Sequence, residues 1–510
     1  MSDQKVLIKS IDLKQYFPVG KRRFSKANDG ITLDIYEGET LGLVGESGCG
    51  KSTFGRTLLQ LNKQTAGKSL YYGRELDDVA PRYVGRTLAK YKQNLHAYNA
   101  MRAEVEKREV ECKAGEAGAD KLALLSQKRA EAQGLYYDLA SVVGGFVTVK
   151  NNDEALKLLR EEHAICRAIR DLRKSVAIAQ VRCADWAYAI ESAAQEGAVT
   201  GGQARRMAAA KARLERLTRQ RDQLKQRLQE KRREIEALKK PYMREEAFQK
   251  AEAMKDNSID LARLDYGEMR LLRSDLQMIF QDPYSSLNPR MTVGNIIGQG
   301  MKTHRLFLKE NRRMQNAILD VMQRCGLQPY FLHRFPHQFS GGQRQRIGIA
   351  RSLAVNPKFV VCDEAVSALD VSIQSQIINL LQDLKEQQNL TYLFITHDLS
   401  VVKYISDRIG VMYLGNIVEL APAEEIFAHP AHPYTQALME AIPTMDKRGG
   451  ELKTIEGDIP SPVNPPKGCK FHTRCTRCTE ECKLQKPAWE EIRPGHFVAC
   501  FNVREGSLKG

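Results

Sequence analysis

The chain has 510 residues, too many for one typical domain, so two or three are expected. Apolar residues make up 42% and charged residues 27%, and no run nears the roughly 18 consecutive apolar residues that a membrane-spanning helix needs. That excludes a bilayer-crossing helix, and with no signal-like stretch in "MSDQKVLIKS" the expectation is a soluble or peripheral intracellular protein, whose formal charge of +16 points to an acidic partner such as nucleic acid or anionic lipid.

The first informative stretch is "LGLVGESGCGKST", from Leu41. An apolar strand runs into Gly45, and Gly45 to Ser52 fits G-x-x-x-x-G-K-[ST]. Gly45, Gly48 and Gly50 let backbone N–H groups curl around phosphates, and the helix that follows adds the partial positive charge of its N-terminus. In this pattern Lys51 reaches the outer phosphates and Ser52 can ligate Mg²⁺. Glu46, Ser47, Cys49 and Thr53 complete the predicted nucleotide loop, and Cys49 is read there as incidental.

From Lys51 to Gln281 the chain spends 230 residues before its next chemical motif. Within residues 81–266, Leu214, Leu217, Leu224, Leu228, Ile235 and Leu238 lie at a/d spacing, interrupted by Arg221 and Lys231. Leu88, Tyr91, Leu95, Tyr98 and Val105 make an earlier stripe, interrupted by Arg102. "KAGEAGAD" (113–120), "GG" (144–145) and "GAVTGG" (197–202) are plausible turns, so about four long helices folded into an antiparallel coiled-coil arm are expected, the last reaching roughly 50 Å. Residues 203–240 carry 14 Lys/Arg against 5 Asp/Glu, a net of +9. This is either the solvated face of a coiled coil or a surface for headgroups, a partner subunit or nucleic acid.

Downstream, Phe359 to Cys362 read as a buried strand that delivers Asp363 and Glu364 to its C-terminal edge. Asp363 suits a Mg²⁺ shell and Glu364 can polarise an attacking water. Cys362 reads as a small core residue. Before that strand lies "FSGGQRQRIGIARSLA" (339–354), whose Ile347, Ala350, Leu353 and Ala354 recur at helical spacing.

With "SGGQ" ahead of a strand ending in "DE" and a P-loop upstream, the chain resembles the ABC-type ATPases. The resemblance implies an α/β fold, an RecA-like core with a helical subdomain. By the same likeness Gln281 matches the glutamine that senses Mg²⁺ and contacts the transmembrane partner. Ser340, Gly341, Gly342 and Gln343 match the signature that closes over the ATP of a second subunit. Ser367, Ala368, Leu369 and Asp370 match the D-loop. His397 matches the switch histidine on the γ-phosphate, and Phe17 the aromatic that stacks on adenine. With one P-loop and one signature the chain resembles half of a head-to-tail dimer.

"QDPYSSLNPRMTVG" (281–294), the run 339–374 and "HPAHPYTQAL" (429–438) are similar to the oligopeptide/dipeptide importers, in particular their F-type ATP-binding subunit. That likeness implies ATP-driven import of peptides at the cytoplasmic face of the membrane. The implied partners are two permease subunits, a D-type ATPase and, indirectly, an extracytoplasmic peptide-binding protein; nucleic acid is not among them. Ala365 replaces the usual proline, and Phe339 a leucine common in other ABC signatures; neither change removes a catalytic group. The resemblance divides the chain into the ATPase domain at 1–80 and 267–430, the inserted helical domain at 81–266, and a Cys-rich C-terminal domain at 431–510. The contrary reading is an ABC-type ATPase that works on DNA or ribosomes through its basic arm.

Five of the 11 cysteines lie between 469 and 500, behind Pro460, Pro462, Pro465 and Pro466, which suggest an extended approach. A dense cluster in an intracellular chain binds metal more often than it forms disulfides. Cys469, Cys475, Cys482 and Cys500 follow the spacing of the importer tail, which in that family holds a [4Fe–4S] cluster. Four thiolates suit that cluster or tetrahedral zinc equally. Cys478 is the extra thiol.

Overall fold

In the computed structural model the described residues are 4–20, 23–114, 119–197, 200–367, 369–441 and 457–503. They divide into two compact units, one of Met1–Gly73, Asp260–Ala262 and Arg270–Gly510, the other of Arg74–Ile259 and Arg263–Met269.

The first unit is built on a sheet whose strands lie in the order Glu490–Arg493, His496–Val498, Asn416–Pro422, Arg408–Tyr413, Thr40–Val44, Thr391–Ile395, Phe359–Asp363 and Leu276–Ile279. The last five of that order pair in parallel. Thr40–Val44, Phe359–Asp363 and Thr391–Ile395 are buried along their whole length, so each reads as a continuous run instead of an alternating one. The parallel strands end together, which brings Gly45, Glu364 and His397 to one edge. On the other side the sheet turns antiparallel. Leu414 and Gly415, both at positive φ, form the tight turn between Arg408–Tyr413 and Asn416–Pro422, and His496–Val498 from the tail adds itself to the latter.

A second, antiparallel sheet holds Val6–Pro18 between Phe24–Tyr36 and Ala66–Tyr71. Helices Val293–Thr303 and Arg312–Arg324 begin on side-chain caps, Thr292 accepting from the N–H of Asn295 at 3.4 Å and Asn311 from that of Met314 at 2.9 Å. Val293, Ile296, Ile297 and Met301 on the first, and Met314, Ile318, Val321 and Met322 on the second, recur at three- and four-residue spacing and enter the same core as the sheet.

The second unit is helical. Its long helices are Tyr91–Ala114, Ala119–Val143, Asp153–Gln195 and Gly201–Lys239. The last two run antiparallel: Trp186 lies under the guanidinium of Arg206, while Glu161 and Glu162 bond Lys231 and Arg232 at 3.1 and 2.9 Å. Leu217 packs with Val176 and Ala179, and Leu228 with Ile165, Cys166 and Ile169. The final helix is longer than expected because Gly201 and Gly202 form its first turn instead of a loop. Its 39 residues span about 58 Å. Arg221 and Lys231 do not break the helix pair: each side chain is mostly covered and its charged end meets a carboxylate, Asp222 for one and Glu161 with Glu234 for the other.

Candidate nucleotide site

The P-loop takes its shape from backbone that only glycine tolerates. Gly45 and Gly50 have φ of 149° and 104°, and a Cβ there would meet the carbonyl oxygens of Met412 at 2.2 Å and Ala27 at 2.1 Å. Gly50 caps helix Lys51–Leu58, so the loop's N–H groups and that helix's N-terminus face one space. Gly50→Ala is therefore expected to cost about 1–3 kcal/mol of folding stability through strain alone, with ATP affinity falling alongside, and urea melts of the two proteins measure it.

The space is a cavity of about 410 Å³. Ser47, Gly48, Cys49, Gly50, Lys51, Ser52 and Thr53 line it, and across from them Gln281, Glu364 and His397. Residues more than 340 positions apart thus line one cavity. Glu364 is the hub. Its carboxylate accepts from Gln281 Nε2 at 2.6 Å and stands 3.5 Å from His397 Nδ1. Its backbone sits at φ 46°, held there by a hydrogen bond from its N–H to the Ile395 carbonyl at 2.9 Å. Lys51 Nζ donates to the Gly45 and Glu46 carbonyls at 2.7 and 3.0 Å, contacts it must give up to reach a phosphate.

Asp363 lies fully buried beside Glu364. Arg56 bonds its Oδ2 at 3.1 Å, whereas its Oδ1 is buried with no partner. A buried carboxylate oxygen without a partner, one residue from the cavity-lining Glu364, is a hard donor of the kind Mg²⁺ takes, and with the Ser52 hydroxyl and the Gln281 amide oxygen the residues present fit the ion.

Other expected residues lie elsewhere. Phe17 is 37% exposed and does not line the cavity, although it pairs across the sheet with Ser25, which does. Ser340 caps helix Gly341–Leu353 in a reciprocal box with Gln343, at 3.3 and 3.1 Å, and these residues with Gly341 and Gly342 also stand outside the cavity. Ser367 donates to the Glu364 carbonyl at 3.1 Å; Asp370 begins helix Val371–Gln388, preceded by Leu369, and Ala368 lies outside the described residues. Reading the sequence missed Ser25, Lys26, Ala27, Leu414, Gly415 and Pro462 in the lining. None carries a motif: Ser25, Lys26 and Ala27 come from strand Phe24–Tyr36, Leu414 and Gly415 from a turn, and the Pro462 carbonyl accepts from the Lys26 N–H at 3.0 Å.

The tail thiols form a second cluster. Cys469, Cys475, Cys482 and Cys500 act electrostatically on one another in all six pairs. Burial, then the neighbouring thiols, pushes Cys469 up to about 12 and Cys500 up to about 11, and raises Cys475. Among the described residues no three His, Cys, Asp or Glu side chains form a group that could hold a metal ion. Cys478 Sγ donates to the Thr479 carbonyl at 3.4 Å. Among the described residues no helix is long and apolar enough to cross a membrane.

The family model for ABC transporters matches residues 28–218 and 244–367, and that for the oligopeptide/dipeptide transporter C-terminal region matches 418–482. The oligopeptide transport ATP-binding protein AppF of Bacillus subtilis is 52% identical over 245 residues, 47% of this chain and 74% of that protein. The oligopeptide transport ATP-binding protein OppF of Haemophilus influenzae is 50% identical over 234 residues, 45% of this chain and 70% of that protein. With its glycine-rich loop facing Glu364, Gln281 and His397 across one cavity, the chain belongs to the ABC transporter family, as an ABC-type ATPase related to the oligopeptide transport ATP-binding proteins.

Proposed function

We propose that this chain is the F-type ATP-binding subunit that powers import of di- and oligopeptides. The observation that carries the reading is the joining, in one chain, of the Glu364-centred cavity to a C-terminal region of the oligopeptide-transporter kind. In this account the P-loop N–H groups, Lys51 and Ser52 hold the triphosphate, with Ser52, Gln281 and Asp363 as the residues that would hold Mg²⁺. The ion, when bound, neutralises charge on the phosphates. Glu364 accepts a proton from the attacking water, and Gln281 and His397 orient its carboxylate. Ser340 to Gln343, outside the chain's own cavity, serve the ATP held by a second subunit, a D-type ATPase. Two permeases at the cytoplasmic face of the membrane and an extracytoplasmic binding protein complete the importer. The DNA or ribosome alternative has no comparable support.

The domain limits proposed are 1–80, 81–266, 267–430 and 431–510, with the inserted helices as an antiparallel coiled-coil arm. For the tail we propose a [4Fe–4S] cluster on Cys469, Cys475, Cys482 and Cys500. The gathering of these four thiols in the tail supports it, and four thiolates are a ligand set that such a cluster takes. Chain purified without oxygen is expected to carry iron and acid-labile sulfide, both lost in Cys482→Ser; zinc in place of iron would contradict this.

An oxygen-free pull-down of the tagged chain from detergent-solubilised native membranes, read by mass spectrometry, tests the assignment. Two multispanning permeases and a second ABC subunit are expected. Ribosomal or DNA-repair proteins without a permease would overturn it.

A further inference from the structure

The thiol-bearing tail reaches back to the P-loop. Arg474, one residue before Cys475, is 4% exposed and makes a two-pronged ion pair with the Glu46 carboxylate, Nη1 to Oε2 at 2.8 Å and Nη2 to Oε1 at 3.0 Å. Two parallel N–H to oxygen bonds fix direction as well as distance. Behind the guanidinium lies the ring of Tyr413, which packs against Tyr434 and Phe471. Phe471, three residues before Arg474, is buried in the core of the ATPase unit, so the start of the clamp is anchored. The hydroxyl of Tyr434, itself fully buried, accepts the Glu46 N–H at 2.9 Å.

Glu46 is therefore held at three points: its N–H by Tyr434, its carboxylate by Arg474 and its carbonyl by Lys51. The hold from Lys51 is lost when that ammonium turns to a phosphate, and the other two remain. They matter chemically because Glu46 puts a negative charge into a loop that must receive a polyanion. An unpaired carboxylate there would repel the triphosphate and, once free to rotate, compete for the loop's N–H groups. Paired to Arg474, the charge is neutralised and turned away.

We propose that Arg474 is a positioning residue for ATP, through which the folded tail holds Glu46 and keeps the P-loop open to phosphate. The inference deepens the nucleotide reading of the cavity and rests on it. It does not depend on which metal the thiols hold, since the clamp is made of side chains alone.

The test measures binding of a fluorescent ATP analogue, displaced by ATP, to the purified full-length chain. Arg474→Gln is expected to weaken binding about tenfold, and Glu46→Gln, which removes the repelling charge as well as the clamp, by less. With Glu46 already neutral, adding Arg474→Gln should cost little more, so the two effects do not multiply. Arg474→Lys, which keeps the charge but one prong, should recover part of the affinity. A purely structural role for Arg474 would give the same loss on either background. Wild-type affinity in Arg474→Gln, or effects that multiply in the double variant, would overturn the proposal. Should Arg474→Gln fail to fold, Glu46→Gln with Tyr434→Phe carries the test from the loop's side, and wild-type affinity in that pair would overturn it too. Failure of the unaltered chain to bind the analogue would instead overturn the nucleotide reading itself.

Discussion

Glu364→Gln is expected to bind ATP with near wild-type affinity while hydrolysis in the assembled complex falls about 10²–10⁴-fold, the range that a positioned general base contributes. The amide is almost the same size, so the hydrogen bond from Gln281 at 2.6 Å has an acceptor still, and the backbone at φ 46° needs no change. What disappears is the ability to take a proton. Binding measured with the fluorescent analogue and turnover measured as phosphate release separate the two effects, and normal turnover would remove Glu364 from the mechanism.

Lys51→Ala is the second large effect, and it strikes binding first. Lys51 is 4% exposed and its ammonium is held on the Gly45 and Glu46 carbonyls, inside the loop that lines the cavity. A charge-assisted hydrogen bond contributes about 1.5–3 kcal/mol, so affinity for ATP should drop roughly 10- to 150-fold. Titration of the analogue against both proteins checks this, and an unchanged dissociation constant would contradict the role given to Lys51.

These two residues were legible in the sequence because their chemistry is local. Four apolar residues before Asp363 announce a buried strand, and the glycines before Lys51 announce a loop with positive φ. The meeting of Lys51 with Glu364 was legible only through the resemblance, since no spacing rule joins residues so far apart. Arg474 on Glu46 had no signal at all: the pair is separated by 428 positions and each side chain alone reads as a solvated charge. Pro462 in the cavity wall was likewise invisible, because it enters through its backbone carbonyl. In the helical unit the a/d pattern located Leu217, Leu228 and Ile235 in the buried seam. It misplaced the helix start at Gly201, where glycine's poor helix propensity argued for a loop and the helix begins instead.

If ATP turnover at Glu364 drives peptide uptake, a residue change that blocks turnover must block uptake too. The most direct measurement is accumulation of a labelled oligopeptide by cells lacking this chain, complemented with the wild type or with Glu364→Gln. Uptake is expected to return with the wild type and to stay absent with the variant at equal protein level. Uptake that persists without the chain, or returns fully with Glu364→Gln, would contradict it.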